Sequence, residues 1–234
     1  QIPYIIVNHL VSDDMFLNDQ QRALMQLLFV KAKQICFVSK QNCFEFERKL
    51  MLTMKDAILV KNPVNMLDSA VQPWPQTEDF SMAIVARLDV QHKGHDLLLT
   101  VLQQPHWQDR NYKLHIYGTG PHETYLKELI QFYRLENKVE LMGHCSNIKS
   151  VWHHSQLLLL PSRTEGLPLT IIEAMLCGRA VVTTNVGDSA VLIEDGITGW
   201  VAESPTVEHI GAAMEKAWQA RAHWQQTGLA AYEK

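Results

Sequence analysis

The stretch at residues 161–178, PSRTEGLPLTIIEAMLCG, decides the fold of this chain. It follows an apolar run at 157–160, LLLL, which predicts a buried strand of a parallel sheet. Pro161 marks a turn, and apolar residues then recur at helical spacing from Leu169 to Leu176. The sequence therefore predicts a strand, a loop and a helix, with the loop at the carboxyl end of the strand. Open α/β sheets bind their ligands at that edge.

Two carboxylates in this stretch are unexpected in a helix whose only role is to pack its apolar side chains against the sheet. Glu165 lies in the loop, and Glu173 lies within the apolar helix. A buried carboxylate without a partner costs several kcal/mol, so it needs hydrogen-bond donors such as the hydroxyl groups of a ligand. The backbone N–H groups of Gly166, Leu167 and Leu169 at the helix start favour an anion. Together these features indicate a sugar linked to phosphate. Alternatively, Glu165 is an ordinary helix N-terminal charge and Glu173 an exposed helix position.

The chain has 234 residues, of which 47% are apolar and 20% charged, and its formal net charge is -4. This balance is typical of a globular protein with one large or two smaller domains, and it argues against a nucleic-acid-binding protein, which would be basic. No apolar run approaches the ~20 residues that a membrane span needs, and no signal peptide is visible. The glutamine at the first position indicates a piece of a longer chain.

The cysteines show no CxxC spacing and no metal-binding pattern with the 11 histidines; they are Cys36, Cys43, Cys145 and Cys177. A tetrahedral zinc site needs convergent ligands, and the histidine spacing gives no sign of them. We therefore expect reduced thiols, no metal site and a cytoplasmic location.

Strand and helix patterns divide the chain into two unequal α/β parts. Residues 1–63 follow a β-α-β-α-β order, which is typical of a parallel sheet. Residues 64–79, around Trp74, lack periodicity and are interpreted as a linker. Residues 80–221 contain six strand candidates with helices between them, and 222–234 would be a tail that stops short. The predicted fold is a Rossmann-like parallel sheet with helices on both faces, beside an incomplete second Rossmann-like half.

Polar residues follow the predicted strands of the second part. Arg87 ends its first strand, and Lys93 precedes Gly94 and a helix. Two cations beside a glycine at a helix start can clamp a diphosphate, although alone they also fit two solvated surface charges. The other loops carry Gly118-x-Gly120, Gly143-His144 and Gly187-Asp188. Each is a weak signal. Taken together, five loops at one sheet edge would offer cations, amides and carboxylates to one ligand.

With these residues in view, the chain resembles the retaining glycosyltransferases of the two-Rossmann-domain GT-B architecture, in particular family 4, glycosyl transferases group 1. Glu165 and Glu173 match the E-x7-E signature of that family. The other matching segments occur in the family's order: ARLDVQHKGHDLLL (86–99), IYGTGP (116–121), VELMGH (139–144), the run at 157–187 and EDGITGWV (194–201). In the first part, IPYIIVNH (2–9), QICFVSK (34–40) and ILVKNPV (58–64) resemble the acceptor-side domain.

The resemblance implies four catalytic residues. Arg87 and Lys93 would neutralise the diphosphate as it leaves, and Glu165 would bind hydroxyl groups of the donor sugar. His9 would face the acceptor, on the evidence of one short segment.

It also implies donor-binding residues, which are Glu173, Gly166, Leu167, Pro168, Leu169, Gly143 and His144. Glu173 would accept hydrogen bonds from the ribose, the backbone of 166–169 would support the sugar and phosphate, and Gly143-His144 would border the base. The chain departs from the family pattern at Val191, where many members carry glutamate, and at Asp188, where they carry a second glycine. Contacts of residues 185–189 with the donor therefore stay open.

The implied activity is transfer of a sugar from a nucleotide-diphosphate-sugar donor to a glycan, lipid-linked or small-molecule acceptor. The anomeric configuration would be retained. No cofactor or metal is implied, because protein cations would neutralise the diphosphate, and contact with a membrane surface would run through the missing amino-terminal part. Two alternatives stay open: a nucleotide-sugar-binding module that is inactive as this fragment, and a nucleotide-sugar epimerase of similar architecture.

Overall fold

The computed structural model describes residues 2–11, 15–64, 66 and 70–234. Its first sheet is parallel and has three strands, β1 (Ile5–Asn8), β2 (Gln34–Phe37) and β3 (Ile58–Leu59), paired in that order. Helix α1 (Asp19–Lys31) connects β1 to β2, and α2 (Lys40–Leu50) connects β2 to β3. These elements follow the predicted β-α-β-α-β order, and we term the described residues up to 63 the first lobe.

A single apolar cluster holds the first lobe together. Phe46 on α2 packs against Phe29 on α1 and Phe37 on β2, with ring centroids 4.8 and 5.9 Å away. Ser39 accepts a hydrogen bond from the N–H group of Asn42 at 3.0 Å and so caps the start of α2.

The second sheet has six parallel strands: β4 (Phe80–Val85), β5 (Tyr112–Tyr117), β6 (Val139–Gly143), β7 (Leu157–Leu160), β8 (Ala180–Thr184) and β9 (Gly199–Ala202). Its helices are α3 (Val90–Lys93), α4 (His95–Leu102), α5 (Pro105–Gln108), α6 (Glu123–Phe132), α7 (Ile148–His154), α8 (Leu169–Leu176), α9 (Ser189–Leu192), α10 (Val207–Gln219) and α11 (Trp224–Glu233). We term residues 80–234 the second lobe.

The strands of the second sheet run in the order β6-β5-β4-β7-β8-β9. Sequence order increases outward on both sides of the β4–β7 pair, which makes this pair the topological switch point of a doubly wound sheet. All of β7 is buried: Leu157 and Leu159 belong to one core cluster, and Leu158 and Leu160 belong to another. Helices therefore cover both faces of the sheet, and the predicted α/β fold is confirmed.

Arg179, which the sequence analysis did not single out, anchors the segment between the lobes. It is 1% exposed, and its guanidinium donates to backbone carbonyls of Gln72, Pro73, Trp152, Ser155, Cys177 and Gly178. The guanidinium carbon also lies 5.3 Å from the centroid of the Trp74 ring. Because Gln72, Pro73 and Trp74 belong to the predicted linker at 64–79, part of this linker is fixed to the second lobe.

Most of the residues expected as a tail, 222–234, form α11 (Trp224–Glu233) after a 3-10 turn at Arg221–His223, and this helix packs on the second lobe. Trp224 is 1% exposed, its Nε1 donates to the carbonyl of Ala217 at 2.8 Å, and Ala231 is buried in the core. Helices α3 and α5 are also additions to the predicted elements, because four residues are too few for a periodic signal. Within the described ranges, the helices are too short or too polar to cross a membrane.

Candidate functional site

An ion pair at the topological switch point joins two of the predicted site residues. Lys93 ends α3, which follows β4, and Glu165 lies in the loop after β7. The Lys93 Nζ and Glu165 Oε1 atoms are 2.7 Å apart, and the Glu165 side chain is 8% exposed. Ser162 donates its hydroxyl to the same Oε1 atom at 2.6 Å. The two ionised residues are 72 positions apart in the chain, so the pairing of β4 with β7 brings them together.

Backbone contacts hold the loop after β7 against α3, which follows β4. The N–H groups of Arg163 and Thr164 donate to the carbonyl of His92 at 2.7 and 3.2 Å. Gly94 has a φ of +65°, and a Cβ atom there would lie 2.0 Å from the carbonyl oxygen of Pro161. Glycine alone fits such a close approach in a left-handed conformation. The loop after β7 is therefore locked onto α3.

Arg163 adds a side-chain clamp to this frame. Its guanidinium binds both carboxylate oxygens of Asp96 at 2.7 and 2.8 Å and donates to the carbonyl of Val90 at 2.6 Å. Such bidentate pairs are among the strongest charge-assisted contacts in proteins. Sequence reasoning missed Arg163 because its partner lies 67 positions away and no local spacing links the two. The positive charge of Arg163 is committed to holding α3 and α4.

A cavity of about 410 Å³ opens beside Glu165, between the lobes. We term it the interlobe cavity. The first lobe lines it with the start of α2, including Lys40 and Glu45, and the second lobe lines it with Glu165, Gly187 and Asp188. Charged groups from both lobes therefore face a single space, which suits a hydroxylated or charged ligand group.

The backbone at His9 approaches the loop after β7. A Cβ atom on Gly166 would lie 2.1 Å from the carbonyl oxygen of His9, and Asn42 donates to the same oxygen at 3.4 Å. The side chain of His9 is exposed. The structure thus brings the backbone of His9 next to Gly166, the neighbour of Glu165.

A second cavity, of about 710 Å³, lies at the ends of β4, β5 and β6. We term it the rim cavity. Arg87, residues 118–121 and His144 line it. The N–H group of Gly118 donates to the carbonyl of Gly143 at 2.8 Å, so the loops after β5 and β6 meet here. Arg87 and His144, which were predicted to contact the diphosphate and the base, therefore share one cavity.

Glu173 lies on α8 and is half-buried. Burial raises the pKa of its carboxyl group above the ordinary value, because it penalises the charged form. Among the described residues, its carboxylate has no hydrogen-bond or ion-pair partner. Neither Glu173 nor the predicted sites Leu167, Pro168 and Leu169 line the two cavities. A half-buried carboxylate without a partner among the described residues is free to accept hydrogen bonds from the hydroxyl groups of a ligand.

The two positions that depart from the family pattern both line the interlobe cavity. The N–H group of Asp188 donates to the carbonyl of Gly166 at 3.0 Å, and the side chain of Val191 is 72% exposed. No three His, Cys, Asp or Glu side chains converge on a metal position in the part of the chain that the structure describes.

The sequence profile of glycosyl transferases group 1 matches residues 68–234, which include the whole second lobe. This chain belongs to the glycosyl transferases group 1 family. The E-x7-E pair and the loops of the rim cavity all fall within the matched region.

Curated relatives in this family include enzymes with named activities. A subunit of the human phosphatidylinositol N-acetylglucosaminyltransferase is 26% identical over 185 residues, which are 78% of this chain and 37% of the relative. The GtfA subunit of the UDP-N-acetylglucosamine–peptide N-acetylglucosaminyltransferase of Streptococcus pneumoniae is 25% identical over 198 residues, 82% of this chain and 39% of the relative. The chain therefore spans about two fifths of the length of these two relatives.

Solved structures of glycosyl transferases share the fold of the whole chain. The crystal structure of Anabaena HepE with UDP-glucose superimposes with a TM-score of 0.81 at 17% identity, and the match covers 99% of this chain and 66% of HepE. At this identity the likeness shows the fold, and it confirms the predicted GT-B type architecture.

Proposed function

We propose that this member of the glycosyl transferases group 1 family takes part in retaining transfer of a sugar from a nucleotide-diphosphate-sugar donor. The acceptor would be a glycan, a lipid-linked or a small-molecule alcohol. The observation that carries the proposal is the Lys93–Glu165 pair at the switch point. It sets a cation suited to phosphate directly beside a carboxylate suited to sugar hydroxyl groups.

In this proposal the donor bridges the two cavities. The rim cavity takes the nucleotide, with Gly143 and His144 at the base and Arg87 at the diphosphate. Glu173 accepts hydrogen bonds from the ribose, which would compensate for the burial of its carboxylate. The sugar enters the interlobe cavity at Glu165. The backbone of 166–169 lies behind this lining, where the carbonyl of Gly166 accepts from the N–H group of Asp188, and would support the sugar from there.

The names of relatives suggest which donors to test first. One relative is named for UDP-N-acetylglucosamine, and HepE was crystallised with UDP-glucose. We therefore take UDP as the first nucleotide to test, and N-acetylglucosamine and glucose as the first sugars.

The geometry supports a mechanism based on electrostatics. As the bond to the sugar breaks, negative charge grows on the leaving phosphate, where Arg87 and Lys93 stabilise it in place of a metal ion. Before the donor binds, Glu165 neutralises Lys93. The diphosphate would compete for Lys93 and release Glu165 to bind sugar hydroxyl groups. A leaving phosphate oxygen would then accept the proton of the acceptor on the same face of the sugar, with His9 on the acceptor side.

A cytoplasmic place of action fits the state of the cysteines. All four are free thiols in the structure, which suits a reducing compartment. If the acceptor is lipid-linked, we also propose that the protein contacts a membrane surface.

Calorimetry with UDP and UDP-sugars tests the site. Lys93→Ala should weaken the binding of UDP and of UDP-sugars roughly 10- to 100-fold, because it removes a charge-assisted contact worth about 1.5–3 kcal/mol. Glu165→Gln should weaken the binding of UDP-sugars. It should leave the affinity for UDP unchanged or raise it, because Lys93 is then no longer paired with the carboxylate of Glu165. Lys127→Ala, which changes an exposed lysine, is the matched control. Unchanged UDP-sugar affinity in both site variants would contradict the assignment.

A nucleotide-sugar-binding module is the second candidate, because the chain spans only about two fifths of the length of the two curated relatives. A labelled-donor assay distinguishes the two candidates. Transfer to an added acceptor supports the enzyme, whereas tight donor binding without transfer supports the module. Release of nucleotide together with a sugar epimerised at one ring carbon, without an acceptor, would instead point to an epimerase, whereas release of the unchanged sugar would be hydrolysis of the donor by water.

A further inference from the structure

Asp89 lies between the two cations that we assign to the diphosphate, two positions after Arg87 and four before Lys93. Its N–H group donates to the carbonyl of Arg87 at 2.7 Å, and its carbonyl accepts from the N–H groups of His92 and Lys93 at 3.3 and 2.8 Å. Asp89 is therefore the residue at which the chain turns from the end of β4 into α3.

The side chain of Asp89 faces two histidines, His92 on α3 and His122 in the loop after β5. Its Oδ2 atom lies 3.0 Å from Nδ1 of His92, and its Oδ1 atom lies 3.8 Å from Nδ1 of His122. The carboxylate is 13% exposed, and Oδ1 is buried without a hydrogen-bond partner among the described residues. His122 also accepts from the N–H group of Val90 at 3.3 Å. The loop after β5 is thus joined to the first turn of α3 around this carboxylate.

The charges around Asp89 keep it ionised. Burial opposes ionisation, but the hydrogen bond from His92 and the charges of His92, His122 and Arg87 outweigh it and hold the pKa of Asp89 below its usual value. The carboxylate is therefore an anion at neutral pH, placed among groups that carry or can carry positive charge.

Helix α3 needs such an anchor. It has four residues, too few to be stable alone, and Asp89 at its start makes no side-chain capping bond. The direction of Lys93 at its end therefore depends on tertiary contacts. On one side the His92 carbonyl accepts from the loop after β7, and on the other the His122 ring accepts from the N–H group of Val90. Asp89 closes the turn between them through its contact with the His92 ring.

We infer that Asp89 is a positioning residue, which holds the first turn of α3 through its contact with the His92 ring and so aims Lys93 at the donor diphosphate. This inference rests on the proposed function for its consequence in nucleotide binding. Its structural part, the fixing of Lys93, can be tested without any nucleotide.

The first measurement uses UDP as the probe in calorimetry. Asp89→Asn keeps the size of the side chain and removes its charge. It should weaken the binding of UDP about fivefold. In a Lys93→Ala background the same change should have less than about a twofold effect, since residues that act through one another are non-additive. If Asp89→Asn loosened the whole fold instead, it would weaken the binding of UDP both with Lys93 present and in the Lys93→Ala background. Asp19→Asn, at an exposed ion pair on α1, is the matched control.

The second measurement follows acylation of lysine amines by peptide mass spectrometry, with Lys127 as the internal reference. In Asp89→Asn, Lys93 should react about threefold faster than in the unchanged protein, because it leaves Glu165 more often. His92→Gln should act in the same direction and serves if Asp89→Asn folds poorly. Circular dichroism confirms folding in each case.

The outcomes separate the two ideas. Faster Lys93 labelling in a protein that does not bind UDP would support the positioning role and end the proposed donor site. UDP binding and Lys93 labelling both unchanged in Asp89→Asn would overturn the positioning role and leave the donor site standing. Equal weakening of UDP with and without Lys93 would also overturn it.

Discussion

The two lobes have the same kind of parallel sheet but bury it to different degrees. In the second lobe, every residue of β7 is buried and core clusters lie on both faces of the sheet. In the first lobe, large apolar side chains on the strands stay exposed: Ile5 at 61%, Val7 at 47% and Ile58 at 48%. The second lobe thus has a complete core of its own, and the first lobe relies on one cluster around Phe46.

This difference divides the candidate site. Lys93 and Glu165 are held by the fully covered sheet, together with the Arg163–Asp96 clamp. The first lobe supplies one wall of the interlobe cavity, which includes Lys40, from a sheet with exposed apolar side chains. The residues assigned to the donor are therefore held by the lobe whose sheet is covered on both faces.

Tryptophan provides a way to watch one lobe at a time. All six tryptophans lie at or after Trp74 in the sequence, in the second lobe or in the segment fixed to it. Fluorescence therefore reports unfolding of the second lobe, and circular dichroism reports both lobes.

The largest effect should come from Arg179→Leu. The change leaves a set of buried carbonyls without a donor, and each such group costs about 1–3 kcal/mol. We expect the second lobe to lose about 3 kcal/mol or more of its free energy of unfolding, seen as an early fluorescence transition in urea. Arg48→Leu, which changes an exposed arginine of the first lobe, should leave that transition in place. A fluorescence midpoint unmoved by Arg179→Leu would show that the lobe does not depend on this anchor.

Phe46→Ala should destabilise the first lobe alone. It removes a fully buried ring from the cluster with Phe29 and Phe37, at a cost of about 3 kcal/mol. Part of the circular dichroism signal should then be lost at low urea while the fluorescence transition stays. Phe132→Ala, at a side chain that is 79% exposed, is the control and should change little. If both signals moved together in Phe46→Ala, the lobes would unfold as one unit and the comparison would fail.

The smallest effect concerns Glu173 and depends on pH. Burial raises its pKa in the folded state, so it contributes stability below its unfolded pKa and loses that contribution as pH rises through the folded pKa. Glu173→Gln should therefore increase the free energy of unfolding at pH 8, by less than about 1 kcal/mol, and by nothing near pH 4. Glu128→Gln, at an exposed position on α6, should show no such trend. A Glu173→Gln gain that stayed constant with pH would exclude burial of the charge as the cause.

The sequence predicted the elements of this fold well where their patterns are local. The apolar run of β7 has the predicted bounds, and the second sheet contains the six predicted strands. The cap at Ser39 could also be predicted, since it depends on one hydroxyl at a helix start. The short helix α3 could not, because four residues carry no periodicity and tertiary contacts hold it in place.

The candidate site was predicted only in part. Arg87, Lys93 and Glu165 could be named because each follows a predicted strand of one sheet. The Arg163 clamp, the approach of Asp89 to His122 and the Arg179 anchor could not, because each joins residues from different elements. The predicted roles of Arg87, Lys93 and Glu165, like those of Glu173 and His9, stay predictions.

The sequence by itself determined the strands and most of the longer helices, and that the chemical groups follow the strands, because these patterns arise between near neighbours in the chain. The tertiary structure decided which groups meet. Lys93 lies 2.7 Å from Glu165, 72 positions away, because β4 pairs with β7 at the middle of the sheet. Strand order depends on how whole elements cover one another's apolar faces, and no local spacing in the chain encodes it.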